Sequence, residues 1–179
     1  MNRQDAAQRS YSEQAVHLLR TATLVNMTLS QMADQKASIL MGATFVVFTI
    51  SVGQAGRGNF AFALVVLALF SFLSALSAMM AVMPSIQTGK AGPERRNILF
   101  FGVFSHLSEE EFAADVLDHL ETDEDLYRTM LRDIYQNGQV LQHRKYRYLG
   151  IAYRIFMVGL VLTLAVFLFE SSDQLARLF

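Results

Sequence analysis

Residues able to do chemistry are present in this chain of 179 residues, but their spacing is not that of a catalytic centre. The four histidines, His17, His106, His119 and His143, are scattered without the spacing of metal ligands. Their ordinary role is polar surface or a satisfied hydrogen bond. Cysteine is absent, which excludes disulfides, thiolate metal sites and cysteine nucleophiles. The segment Ser108–Asp125 holds nine acids and no Lys or Arg, yet it lacks the D-x-D-x-D-G order of a calcium loop. There is no G-x-x-x-x-G-K-[ST] phosphate loop, no G-x-S-x-G and no H-E-x-x-H. The net charge of −1 gives no reason to expect a nucleic-acid partner. No ionisable residue falls at the middle of an apolar run, which argues against a pump or a proton-coupled transporter. The chain reads as a non-enzyme, with no metal or cofactor implied.

The elements that must position these residues are apolar helices. The hydrophobic fraction is 53% and the charged fraction 17%, and the charges are segregated. Ala37–Gly56 is 20 residues without a formal charge, and 32 more separate Arg57 from Lys90. A helix needs about 20 mostly apolar residues to cross the hydrocarbon core. These runs predict spans over 38–53 and 60–83, joined by a tight hairpin at Gln54–Asn59. A third run, Ile155–Phe169, has 15 uncharged residues and reaches 22 if extended back to Tyr148 across Arg154. That arginine can snorkel to the headgroups, with Tyr146, Tyr148 and Tyr153 in the interfacial belt. The alternative is a buried helix of a soluble core.

Lys and Arg set the orientation. Four precede the first span, one lies in the hairpin, eight lie between Met83 and Tyr148, and one, Arg177, follows the last span. This rich–poor–rich–poor pattern is that of three spans with the N-terminus inside. The first 36 residues are mostly polar, which is unlike a cleavable signal peptide.

The expected fold is therefore an all-α membrane protein, with three transmembrane helices, a cytosolic helical hairpin and an N-terminal helix. In residues 11–36, Ala15, Leu18, Ala22, Val25, Leu29 and Met32 line one helix face. Nothing breaks this stretch before the first span, so one continuous helix is expected, its seam covered by the cytosolic hairpin or a second subunit. Asp34 and Lys36 fall at the membrane edge, either as a solvated helix end with a positive anchor or in a polar contact with another helix. Ser85–Arg96 is a polar connection. Ile98–Phe104 is too short to span and suits a strand or a buried turn. Ser108 and Glu111 form a capping box, opening a helix with Phe112, Val116, Leu117 and Leu120 on one side. A second helix starts near Thr122 with a stripe of Tyr127, Met130, Leu131, Ile134 and Leu141. It is expected to run into the third span, with a kink at Gly138. The acids of Ser108–Asp125 belong away from anionic headgroups, whereas Arg144, Lys145 and Arg147 sit where headgroup contact is favourable.

In the second span, Ser71, Ser74, Ala75, Ser77, Ala78 and Ala81 are small, and several are four apart. Such spacing lets helix backbones approach closely in lipid. It serves packing within the chain or, with Ser71, Ser74, Ala75 and Ala78 as the contact, packing between copies in a homo-oligomer.

A family resemblance rests on a series of pieces in order. They are Ala33-Asp34-Gln35-Lys36-Ala37, Asn97-Ile98-Leu99-Phe100-Phe101, Leu107-Ser108-Glu109-Glu110-Glu111-Phe112, Asp133-Ile134-Tyr135, Val140-Leu141-Gln142-His143-Arg144-Lys145-Tyr146, and Ala152-Tyr153 with Phe156. With the span layout, from about Asn26 to Phe169, the chain resembles the Pycsar effector transmembrane family. The resemblance implies antiphage defence: a cyclase makes cyclic CMP or cyclic UMP on infection, and the membrane effector damages the inner membrane and halts the cell. It implies a bacterial inner-membrane location, multi-pass, with the N-terminus cytoplasmic. The chain then divides into a cytosolic helix at 1–37, a transmembrane hairpin at 38–83, a cytosolic segment at 84–147, a span at 148–169 and a periplasmic tail at 170–179. The alternative is a non-enzymatic scaffold or regulatory subunit that docks a soluble partner on the acidic tip.

A cyclic nucleotide presents one phosphate charge and a flat base, so its pocket needs a bidentate cation and an apolar or aromatic wall. Arg95 and Arg96 directly precede Asn97 and Phe100–Phe101, and Arg128 and Arg132 are four apart on one helix face. Arg95, Arg96, Asn97, Phe101, Arg128 and Arg132 are thus the candidate ligand residues. The competing reading makes Arg95 and Arg96 positive-inside anchors, and pairs Arg128 and Arg132 with Asp125 and neighbouring acids.

Overall fold

A computed structural model describes residues 11–56, 61–83 and 97–176, all of the regular structure among them helical. The elements are α1 (Ala15–Gly56), α2 (Phe62–Val82), α3 (Phe101–Phe104), α4 (Glu109–Asp118), α5 (Asp123–Val140), a π-helical segment (Leu141–Tyr146) and α6 (Arg147–Ala176). Arg57, part of the Gln54–Asn59 hairpin and the Ser85–Arg96 connection lie outside the described residues. Three helical runs, α1, α2 and Asp123–Ser172, are long and apolar enough to cross a membrane. At 1.5 Å per residue, α1 is about 63 Å long, roughly twice the hydrocarbon thickness. The chain forms two compact units, one of Met1–Leu29 with Pro84–Leu141 and one of Ser30–Met83 with Gln142–Phe179.

The second unit contains the apolar helices, and it is built with its large side chains outside. Only 17%, 22% and 11% of the most apolar stretches of the three runs are buried, so most of their apolar surface needs lipid to cover it. Ile39, Phe45, Ile50, Leu69, Val161 and Phe167 are exposed, whereas the buried positions are mostly small. These are Ala33, Ala37, Leu40, Thr44 and Ser51 on α1, Ala63, Ser71, Ser74, Ala78 and Ala81 on α2, and Leu149, Ala152 and Gly159 on α6. Along each helix they recur mainly at steps of three, four or seven, the spacing that keeps one face toward a neighbour. Leu40, Ala78 and Ala152 form the centre of the packing, with Met41 and Phe156 against it.

Hydrogen bonding follows the same economy. In lipid no water is present to satisfy a hydroxyl. Thr44 and Ser51 donate to the carbonyls of Leu40 and Val47 one turn back, each at 2.8 Å. Ser74 Oγ reaches across to the Ala152 carbonyl at 2.8 Å, joining α2 to α6. Ala61, the residue before α2, offers no side-chain cap. Instead Glu170 Oε1 accepts from the Phe62 N–H at 2.8 Å, placing a carboxylate at the positive end of the helix.

This geometry bears on the small-residue face of α2. Ser71, Ser74 and Ala78 are fully buried within the chain, and Ala75 is half-buried. Ser74 and Ala78 meet α6 at Ala152, so this part of the face is used in packing within the chain. Ser71 Oγ is buried without a hydrogen-bond partner among the described residues.

The first unit explains the acidic run. Ser108 Oγ accepts from the Glu111 N–H at 3.2 Å, and Glu111 Oε2 accepts from the Ser108 N–H at 2.8 Å, completing the expected capping box. Thr122 caps α5 by accepting from the Asp125 N–H at 3.1 Å. Both helices carry three acids in their first turn, where the helix dipole favours negative charge. Ile98–Phe104 is a turn followed by the single-turn helix α3, not a strand.

One expectation is corrected. The irregularity in the α5–α6 run is not at Gly138, which is α-helical, but in the π-helical segment three residues on. A Cβ at Gly138 would make only an ordinary contact, 4.0 Å from the Asn26 amide, which donates to the Ile134 carbonyl at 3.0 Å. Within one chain the seam of α1 is covered only in part, at Ala15 and Ala22. Leu18, Val25, Leu29 and Met32 are exposed, and Leu19, Ala22, Thr23 and Asn26 form the less exposed face in the first unit.

Candidate functional site

The sequence offers six ligand candidates, and four fall among the described residues. Arg95 and Arg96 lie outside them. Asn97 is 4% exposed, and both ends of its amide are used. Its Nδ2 donates to Asp133 Oδ1 at 2.9 Å, and its Oδ1 accepts from the Leu99 N–H at 3.0 Å. Asn137 Nδ2 donates to the same Asp133 oxygen at 3.0 Å. This cluster ties the turn before α3 to the middle of α5. Phe101 is exposed and packs a tilted ring against Phe100, with centroids 4.8 Å apart. On α5, Arg128 pairs with Glu124 one turn back, through Nε at 2.7 Å and Nη2 at 2.5 Å. Glu124 also accepts from the Tyr11 hydroxyl, and the Tyr11 and Tyr127 rings meet edge-on at 4.7 Å. Arg132 has a contact of its own.

The first unit therefore gathers Asn97, Asp133, Asn137 and the Tyr11–Glu124–Arg128 chain on and around α5. A ligand phosphate taking Arg128 has to displace a carboxylate that already meets it through two nitrogens; the arginine is exposed, but the Glu124 side chain is only 12% exposed, so the exchange strips a mostly buried carboxylate of its cation. Asn97 is anchored more firmly, because it is buried and doubly bonded. Its amide is fixed as part of the scaffold.

A second polar constellation lies in the other unit. Ser30 and Asp34 are four apart on one face of α1. Lys145, in the π-helical segment, donates to Ser30 Oγ at 2.7 Å and to Asp34 Oδ2 at 2.6 Å. The side chains of Lys145 and Asp34 are 21% and 38% exposed, so the pair is neither fully screened nor fully desolvated. Of the two sequence readings of Asp34, the geometry gives the polar contact. An extra residue per turn in a π segment shifts the register of the side chains after it, and such segments concentrate at functional positions.

Sequence reasoning had the lysine as a headgroup contact and missed this pairing. It also missed Asp133, the acceptor for two amides, and Asn26. The one available signal was the placement of Asp34 and Lys145 at the edges of two predicted spans. A double-mutant cycle of Asp34→Asn and Lys145→Met, read by thermal unfolding in detergent, is expected to give a coupling of about 1 kcal/mol. That is below the ~1.5–3 kcal/mol typical of hydrogen bonds to charged groups, because both partners retain water. Additive single effects would show that the contact contributes nothing.

Among the described residues no group of three or more His, Asp or Glu side chains is arranged to hold a metal ion. Comparison with known proteins gives one finding. A family model described as the Pycsar effector protein domain matches residues 17–170. No curated protein and no solved structure matches.

Proposed function

The chain belongs to the Pycsar effector family, and from that membership we propose that it is an antiphage membrane effector switched on by cyclic CMP or cyclic UMP. Its action is to impair the bacterial inner membrane and so arrest the infected cell. The observation that carries this reading is the family match over residues 17–170, which takes in all three runs able to cross a membrane. The Lys/Arg distribution supports three spans with the N-terminus in the cytoplasm. That orientation puts the acidic starts of α4 and α5 in the cytosol, where a cyclase product is available. Activity rests on membrane disturbance and not on catalysis.

We place nucleotide recognition in the cytosolic unit. Arg95 and Arg96 supply the cation and the exposed Phe101 the aromatic wall, with Arg128 and Arg132 completing a phosphate clamp by exchange of their present contacts. Asn97 holds this corner in place through Asp133. A homo-oligomer is part of the proposal, with the exposed α1 residues Leu18, Val25 and Leu29 as the face covered by a second copy.

Induced expression with and without an active pyrimidine cyclase, followed with a membrane-potential dye, tests the reading. Depolarisation and growth arrest are expected only when both proteins are present and the cyclic nucleotide accumulates. Full potential in cells that demonstrably contain cyclic CMP and cyclic UMP would remove the effector reading and favour a scaffold that docks a partner on its acidic surface.

A further inference from the structure

The start of α6 carries a groove that nucleotide sensing leaves unused. It is an open cavity of about 420 Å³ along one side of residues 142–154, lined among others by His143, Arg147, Gly150, Ile151 and Arg154. His143, Arg147, Gly150 and Arg154 are spaced four, three and four apart, one face of a helix, and the two arginines are about 10.5 Å apart along the axis. Between them Gly150 leaves the floor open: a Cβ there would meet nothing within 4 Å.

The two arginines differ from the basic residues already described. Arg128 is paired with Glu124 and Lys145 with Asp34. Arg147 and Arg154 are exposed, and no acid pairs with either among the described residues. Their position in the sequence makes this costly. Arg154 is followed by 15 uncharged residues, Ile155–Phe169, and Met157 and Val158 beside it expose their side chains as lipid-facing residues do. A guanidinium at the rim of an apolar span needs an anion at that depth. The anion present in quantity there is the phosphate of the headgroups.

We propose that this groove is a headgroup site for an anionic phospholipid. The guanidinium groups of Arg147 and Arg154 close on the phosphodiester above Gly150, with fork geometry suited to bidentate contact. The His143 ring borders the polar end, and Ile151 meets the glycerol and the upper acyl chain. The site rests only on the chain being a membrane protein and does not depend on nucleotide activation. A cyclic nucleotide is also a phosphodiester, so the test separates the two sources.

The full chain, purified in neutral detergent, is titrated with phosphatidylglycerol or phosphatidylcholine and read by native mass spectrometry. Phosphatidylglycerol adducts are expected to outlast phosphatidylcholine adducts, and added salt is expected to weaken them. Arg147→Gln with Arg154→Gln should lower phosphatidylglycerol retention by about tenfold or more. Arg147→Lys with Arg154→Lys, which keeps both charges and guards against a folding defect, should retain an intermediate affinity. Equal retention of the two lipids by the unaltered chain, or unchanged retention in the glutamine variant, overturns the proposal. Displacement of phosphatidylglycerol by cyclic CMP overturns the lipid assignment and moves a soluble ligand into the groove. Loss of cyclase-dependent depolarisation with lipid retention intact would count against the effector reading alone.

Discussion

An Asn97→Asp variant is expected to destabilise the first unit, Met1–Leu29 with Pro84–Leu141, while leaving the apolar helices folded. Asn97 is 4% exposed, and its amide is the donor to Asp133 Oδ1 at 2.9 Å. Aspartate keeps the acceptor for the Leu99 N–H but turns the donor into a second carboxylate facing Asp133. Breaking a buried charged contact costs about 3–5 kcal/mol. Asp133 is half-buried and keeps its bond from Asn137, so the lower end, about 3 kcal/mol, is appropriate. That is a large share of the ~5–15 kcal/mol that holds a domain together. Asn97→Ala removes the donor without adding charge and should cost less, about 1–3 kcal/mol. Hydrogen exchange resolved by segment checks both. Protection of Asp123–Val140 should fall, more in the aspartate variant than in the alanine variant, with Phe62–Val82 unaffected. Unchanged protection in the aspartate variant would free Asn97 from its scaffold role and return it to the ligand-binding candidates.

The second large effect is expected at Gly159. In an ordinary helix, replacing glycine by alanine gains about 1 kcal/mol of helix propensity. At Gly159 the new Cβ would collide with Phe70 Cβ and stand 2.8 Å from its Cγ. Phe70 Cβ lies next to the backbone of α2, so no side-chain rotation relieves the clash and the helices have to separate. Separation also stretches the Ser74–Ala152 bond and opens the packing around Ala78. Overpacking of this kind costs about 1–3 kcal/mol, so the net sign is loss, and Gly159→Leu should lose more. Gly42→Ala on α1, where a Cβ meets nothing within 4 Å, provides the contrast and should be neutral or slightly stabilising. Thermal unfolding in detergent ranks them. A Gly159→Ala protein as stable as Gly42→Ala would mean that α2 and α6 do not pack this closely.

The amino-acid sequence determined the helical membrane character through long runs with no charge, because a polar interruption is too expensive in hydrocarbon to leave unsatisfied. It determined the helix starts at Ser108 and Thr122 as well, since a cap is made within four residues of chain. The family was legible for the same reason, in short motifs held in order. The inward face of α2 was legible in its small residues Ser71, Ser74, Ala78 and Ala81, but that of α1 and α6 was not. The spans are apolar on every side, so periodicity carries little contrast, and the choice falls to small residues whose value appears only when a particular neighbour approaches: Ala152 toward Ser74, Gly159 toward Phe70. The partners of the polar residues were hidden too. Lys145 and Asp34 are 111 positions apart, and Asn26 finds the Ile134 carbonyl across 108. Their meeting depends on how the chain returns, and for Lys145 also on a π-helical segment that shifts side-chain register with no glycine or proline within it to announce the change.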